Sequence, residues 1–193
     1  MRSTLFAILL LLAAAPAAAQ HGQSAPVSTT PPSEASQFDF LIGQWDIVAR
    51  PYVPGLAGLV HGSPKLPGSW KAWRGMDGWG VEDEIRITDT SGNPQAFTRF
   101  LRIYDAKEQR WLLASLDVYR ASFQTATAQW REGEMRISGH GTDADGRAYV
   151  TRSRFHAITP QGFQLTQDRS YDDGRTWTEG YLRIEAKRAA ASR

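Results

Sequence analysis

From Phe38 onward, short runs either alternate apolar with polar positions or crowd β-branched and aromatic residues together, and each run is ended by turn chemistry. No stretch of useful length carries a helical period. The runs predict about ten strands, over residues 43–50, 69–74, 80–88, 96–104, 111–119, 123–130, 134–139, 147–158, 163–170 and 177–186. The separators are specific: residues 89–94, Glu132-Gly133, residues 143–146, 160–162 and 172–174 supply the Asn, Asp, Gly and Pro that tight turns require. Many strands joined by short hairpins predict an antiparallel meander, and closure removes its two free edges. The predicted fold is therefore all-β, an antiparallel up-and-down barrel of about ten strands.

Residues 51–69 break the pattern with four Pro and four Gly around Leu56, Ala57, Leu59 and Val60. A connection of this length is expected at one end of the barrel, either covering a pocket mouth or packing on the outside. At the N-terminus, Arg2, the apolar run Leu5 to Ala15 and the small residues 17–19 before Gln20 have the order of a secretory signal peptide. That run is too short to span a bilayer, so no transmembrane segment is expected. Residues 20–36, rich in Ser, Thr, Pro and Gln, are expected to be a flexible leader. The barrel domain is expected over 37–188 and a disordered tail over 189–193.

The chain has 193 residues, room for one ordinary domain, and contains no cysteine. Disulfides and a lipid-modified Cys are thereby excluded, and the expected location is periplasmic or extracellular, soluble and without a lipid anchor. The net charge of +2 comes without a clustered basic stripe, so nucleic acid is not an expected partner.

Gly43-Gln44-Trp45 resembles the Gly-x-Trp signature of lipocalins and the wider calycin group. The span 38–188 is also similar to a family of secreted bacterial lipocalin-like proteins of unassigned function. The matching pieces are residues 38–46, Val81-Glu-Asp-Glu84, Leu101-Arg-Ile-Tyr-Asp105, Arg110-Trp111, Ile158-Thr-Pro160 and residues 172–177. Physically, Gly43 permits close backbone approach at the start of the first strand, while Trp45 and Ile47 share one face and can plug that end. The resemblance implies that an arginine on the last strand packs over Trp45, and Arg183 is its match. Gly43, Trp45 and Arg183 are thus structural residues.

Ser170-Tyr-Asp-Asp-Gly-Arg-Thr-Trp177 fits the Asp-box pattern known from sialidase propellers, which need one copy per blade; this chain has a single copy. It reads as a hairpin turn in which Asp172 accepts backbone N–H bonds, Gly174 takes positive φ and Trp177 covers the turn. Asp143-Ala-Asp-Gly146 fails as a calcium loop because Arg154 stands where the bidentate Glu is needed. The four histidines form no zinc pattern, and no nucleophile elbow or phosphate loop occurs. His156 shares its face with Arg152 and Arg154, so it is expected to point outward, and neither haem nor any other cofactor is expected.

The interior of a small barrel is filled by side chains or holds one small ligand. Either Arg99 or Arg102 faces inward; the family match favours Arg102 with Tyr104 as the ligand-side pair. Trp111, Leu113, Ser115 and Asp117 share one face, and Leu112, Ala114, Leu116 and Val118 the other. Ordinarily the wholly apolar face would be inside, but ligand pockets carry polar groups among aromatics, so both orientations stay open. The candidate ligand-binding residues are Arg102, Tyr104, Trp111 and Asp117. Asp83, on a face with Val81, Ile85 and Ile87, is either a carboxylate in an apolar wall, useful for proton transfer, or a hydrated edge position. The expected function is non-catalytic binding of a small apolar or amphipathic molecule, including a carboxylated one. The alternatives are a small isomerase, cyclase or hydrolase using Asp83 or Asp117, and an interaction module of the cell envelope.

Overall fold

The computed structural model describes residues 28–190. The signal-peptide segment, residues 20–27 of the expected leader and the last three residues of the expected tail lie outside the described residues.

Ten strands form one sheet: β1 (Gly43–Pro51), β2 (Leu66–Gly75), β3 (Gly80–Thr88), β4 (Pro94–Asp105), β5 (Arg110–Asp117), β6 (Ser122–Arg131), β7 (Glu134–Thr142), β8 (Ala148–Thr159), β9 (Gly162–Ser170) and β10 (Thr178–Arg188). Each pairs antiparallel with its neighbour in sequence, and β10 returns to β1, closing an up-and-down barrel with no free edge. Alternation sets the inner face: Trp45, Ile47 and Ala49 on β1, Trp70 and Ala72 on β2, and Ile184 and Ala186 on β10 are all buried. Trp45, Trp70, Phe155 and Phe163 form an aromatic core, with Phe163 presenting edges to the two tryptophans at 5.0 and 5.4 Å between centroids.

One end of the barrel is plugged. A 3₁₀ helix over Ser33–Leu41 buries Ala35, Phe38 and Leu41 across the start of β1. Phe38 meets Trp111 edge to face at 4.7 Å, and Trp45 Nε1 donates to the Leu41 carbonyl at 2.7 Å. Arg74 Nη1 donates to the Ala35 carbonyl at 2.6 Å, and Arg74 also pairs with Asp39. The expected leader boundary therefore moves: residues 33–36 belong to the plug, held by the two apolar anchors that follow them.

The opposite end carries the β3–β4, β5–β6, β7–β8 and β9–β10 turns and the long β1–β2 connection. Part of that connection is a short helix, α1 (Gly55–His61), which buries none of its residues. Pro51 completes β1, and β2 starts at Leu66 opposite Ala49, so the irregular part is shorter than the sequence suggests.

The Gly-x-Trp segment has a geometric explanation. Gly43 has φ +131°, and a Cβ there would run into the guanidinium of Arg188. That guanidinium lies 3.8 Å from the Trp45 ring centroid and donates to the carbonyls of Ile42 (2.9 Å) and Pro160 (3.3 Å). Arg188, opposite Trp45 in the β1–β10 register, is the arginine over this tryptophan. Arg183 is not: it stands opposite Arg50, five residues up the strand, and its side chain lies against Gly180.

Candidate functional site

Above the aromatic core the barrel encloses a cavity of about 270 Å³. Its wall is mostly apolar, with Ile85, Phe100, Leu113, Ile137, Leu165 and Ile184 among the lining residues. Ser115, Gln124, Thr151, Ser153 and Gln167 contribute polar groups to the same wall, and Gln167 Nε2 donates to Ser153 Oγ at 3.2 Å. The volume falls just below the usual range of small-molecule pockets, about 300–1,000 Å³.

Arg102 lies in the wall of this cavity with 2 % of its surface exposed. It forms an ion pair with Asp83, which is fully buried on β3 and accepts a 2.8 Å hydrogen bond from Trp70 Nε1. The guanidinium also sits over the rings of Phe100 (4.8 Å) and Phe38 (5.2 Å). Burial pulls it down to about 9, so it stays charged at neutral pH. Its Nε is buried with no hydrogen-bond partner.

The structure separates the residues that the sequence suggested as ligand-binding. Arg102 is in the cavity wall. Tyr104 and Trp111 also face inward, but below it: their rings meet at 5.6 Å under the plug, and Trp111 Nε1 donates to Gln37 Oε1 at 3.0 Å. They belong to the seal of the plugged end. Asp117 closes the β5–β6 hairpin, accepting from Arg120 N (3.1 Å) and Nη1 (2.7 Å). Asp83 is neither hydrated nor free, because Arg102 and Trp70 take both of its oxygens. As a proton-transfer group it would have to give up a buried ion pair, which is costly.

The orientation of β5 is resolved in favour of the mixed face. Trp111 and Leu113 are buried, whereas Leu112 is 40 % and Val118 38 % exposed. The apolar outer face of β4 and β5, with Leu101, Ile103, Leu112 and Ala114, forms an open recess outside the barrel. Arg99 is also outside, paired with Glu84 at 3.4 Å.

His156 is on the outer face of β8, with Nε2 3.0 Å from Thr166 Oγ1; burial and then Arg154 depress its pKa. Among the described residues, no group of three or more His, Asp or Glu side chains is placed to hold a metal ion. In the β9–β10 hairpin, Asp172 Oδ1 accepts from Thr176 N (2.8 Å) and Ser170 Oγ (2.7 Å), and Oδ2 accepts from Thr176 Oγ1 (2.7 Å). Gly174 takes φ +85°, and Trp177 Nε1 donates to its carbonyl at 2.9 Å. The motif ties a turn, with all its groups used internally.

One cluster was not anticipated. Arg169, the inward residue after Gln167 on β9, lies between the rings of Tyr149 and Tyr181, 3.8 Å from each centroid. Its Nη1 donates to the hydroxyls of Tyr181 (3.0 Å) and Tyr171 (3.3 Å). The β10 irregularity between Thr178 and Leu182 brings Tyr181 into this position. Alternation along Phe163, Leu165, Gln167 and Arg169 is the available signal, since it puts a cation on an otherwise uncharged inner face.

No family model and no curated protein matches the chain.

Proposed function

We propose that this protein binds a small, largely apolar molecule inside its barrel, without catalysis. The observation that carries this reading is the partly open cavity of about 270 Å³ inside the barrel, mostly apolar in its walls and set with a few polar groups. A barrel built only for stability would fill that space, because unfilled volume costs stability. The lipocalin-like character rests on the ten-strand up-and-down closure together with the Gly43-Gln44-Trp45 segment packed by Arg188. Export to the periplasm or beyond rests on the signal-like order of residues 1–19. The internal commitments of Asp83 and Asp117 favour binding over acid–base catalysis.

Native mass spectrometry of the protein isolated from its own host, followed by denaturing extraction, tests the reading. A reproducible small-molecule adduct supports it. A protein of bare mass that also shows no thermal shift with apolar or fatty-acid ligands contradicts it.

A further inference from the structure

Resting on that reading, we infer that the ligand is an amphipathic acid bound with its apolar part in the cavity and its anionic group on Arg169 near the loop end. Arg102 and Arg169 both face the inside of this barrel, and they differ in one respect. Arg102 already has its counter-ion, Asp83, so a second carboxylate beside it would leave a net negative charge in a buried site. Arg169 has no carboxylate within ion-pair distance among the described residues. The neighbouring Asp168 faces away, taken by Arg152 at 2.7 Å and by the Gly180 N–H at 2.8 Å.

The free edge of Arg169 has the right chemistry for a carboxylate. Nη1 is occupied by two tyrosine hydroxyls, but Nε is buried without a hydrogen-bond partner. Nε and Nη2 form the side of a guanidinium that accepts a carboxylate through two parallel bonds. The two tyrosine rings hold the guanidinium plane, so little freedom is lost when an anion docks. The Arg147 guanidinium lies 4.3 Å from the Tyr171 ring centroid, with the Asp143 carboxylate on the same tyrosine. The cluster is joined to the cavity through its own wall. Gln167, one inward position below Arg169, lines the cavity, and Gln124 in the same wall donates to Tyr149 OH at 3.1 Å. The ligand therefore enters tail first, and its buried part meets an Arg102 already neutralised by Asp83.

The test compares octanoate with 1-octanol, which share a tail and differ in charge, by calorimetric titration of the full chain and of Arg169→Gln, Arg169→Lys and Tyr181→Phe. Expected are binding of octanoate at least tenfold tighter than octanol by the unaltered protein, and loss of that preference in an Arg169→Gln variant that still binds octanol. Arg169→Lys should keep part of the preference, and Tyr181→Phe should weaken octanoate alone. Octanol binding serves as the control for an intact barrel. Equal affinity for the two probes, or a preference that survives Arg169→Gln, overturns the assignment of Arg169 while leaving the cavity reading in place. Binding of neither probe by the unaltered protein overturns both.

Discussion

Asp83 and Arg102 form a buried ion pair between the adjacent strands β3 and β4, with Trp70 from β2 donating to the carboxylate at 2.8 Å. The pair fixes three neighbouring strands and leaves the cavity wall electrically neutral there. Replacing either partner alone strands the other charge. Asp83→Asn or Arg102→Met is expected to cost about 3–5 kcal/mol, whereas Asp83→Leu combined with Arg102→Met should recover most of that loss. Urea unfolding of the three variants checks this, and a single-variant cost below about 1 kcal/mol would refute the pairing.

Arg188 lies over Trp45 and also bonds two carbonyls, while Arg183 does neither. Arg188→Ala is expected to lower stability by about 1–2 kcal/mol, because a cation–ring contact and charge-assisted hydrogen bonds are lost at a partly exposed site. Arg183→Ala should change it by no more than about 0.5 kcal/mol. Thermal unfolding of the pair separates them, and the reverse order would show that the arginine over Trp45 has been misassigned.

The β9–β10 turn carries a pH signature. Hydrogen bonds from Thr176, first its backbone and then its side chain, with Ser170, hold the Asp172 carboxyl down to about 2. A carboxylate depressed in the folded state stabilises it fully above the unfolded pKa, about 3.9, and that contribution is lost as pH falls through the folded value. Asp172→Asn should therefore lower the urea midpoint at pH 5 and show a flatter decline between pH 4 and pH 2. Parallel acid limbs in the two proteins would contradict this.

Much of the fold is legible in the sequence because hairpin chemistry is local. Residues 143–146 and 172–174 announce their turns with Asp and Gly, and the strands between such turns have only one simple way to pair. What was missed depends on register across the closed sheet. Arg188 rather than Arg183 faces Trp45 because the β1–β10 pairing aligns residue 45 with 188, which no single strand reveals. The first residues of the plug are polar and share the leader's composition, and Phe38 and Leu41 reaching into the barrel hold them. Arg102 could be placed on the ligand side from its strand, but its neutralisation by Asp83 follows from the β3–β4 register, which sets Val81 against Arg102. The Arg169 cluster draws on three strands and a bulge, so only the folded register brings Tyr149 and Tyr181 to the same guanidinium.

The most direct test of interior binding uses Trp70, whose ring lines the cavity, as the reporter. Ala126, on the opposite wall, is replaced by Phe to fill the space, and tryptophan emission is followed as 1-octanol is added to the unaltered protein and to Ala126→Phe. A saturable, single-site change in the unaltered protein that disappears in a folded Ala126→Phe variant is the expected result. No change in the unaltered protein, or the same titration curve in both, would contradict binding inside the barrel.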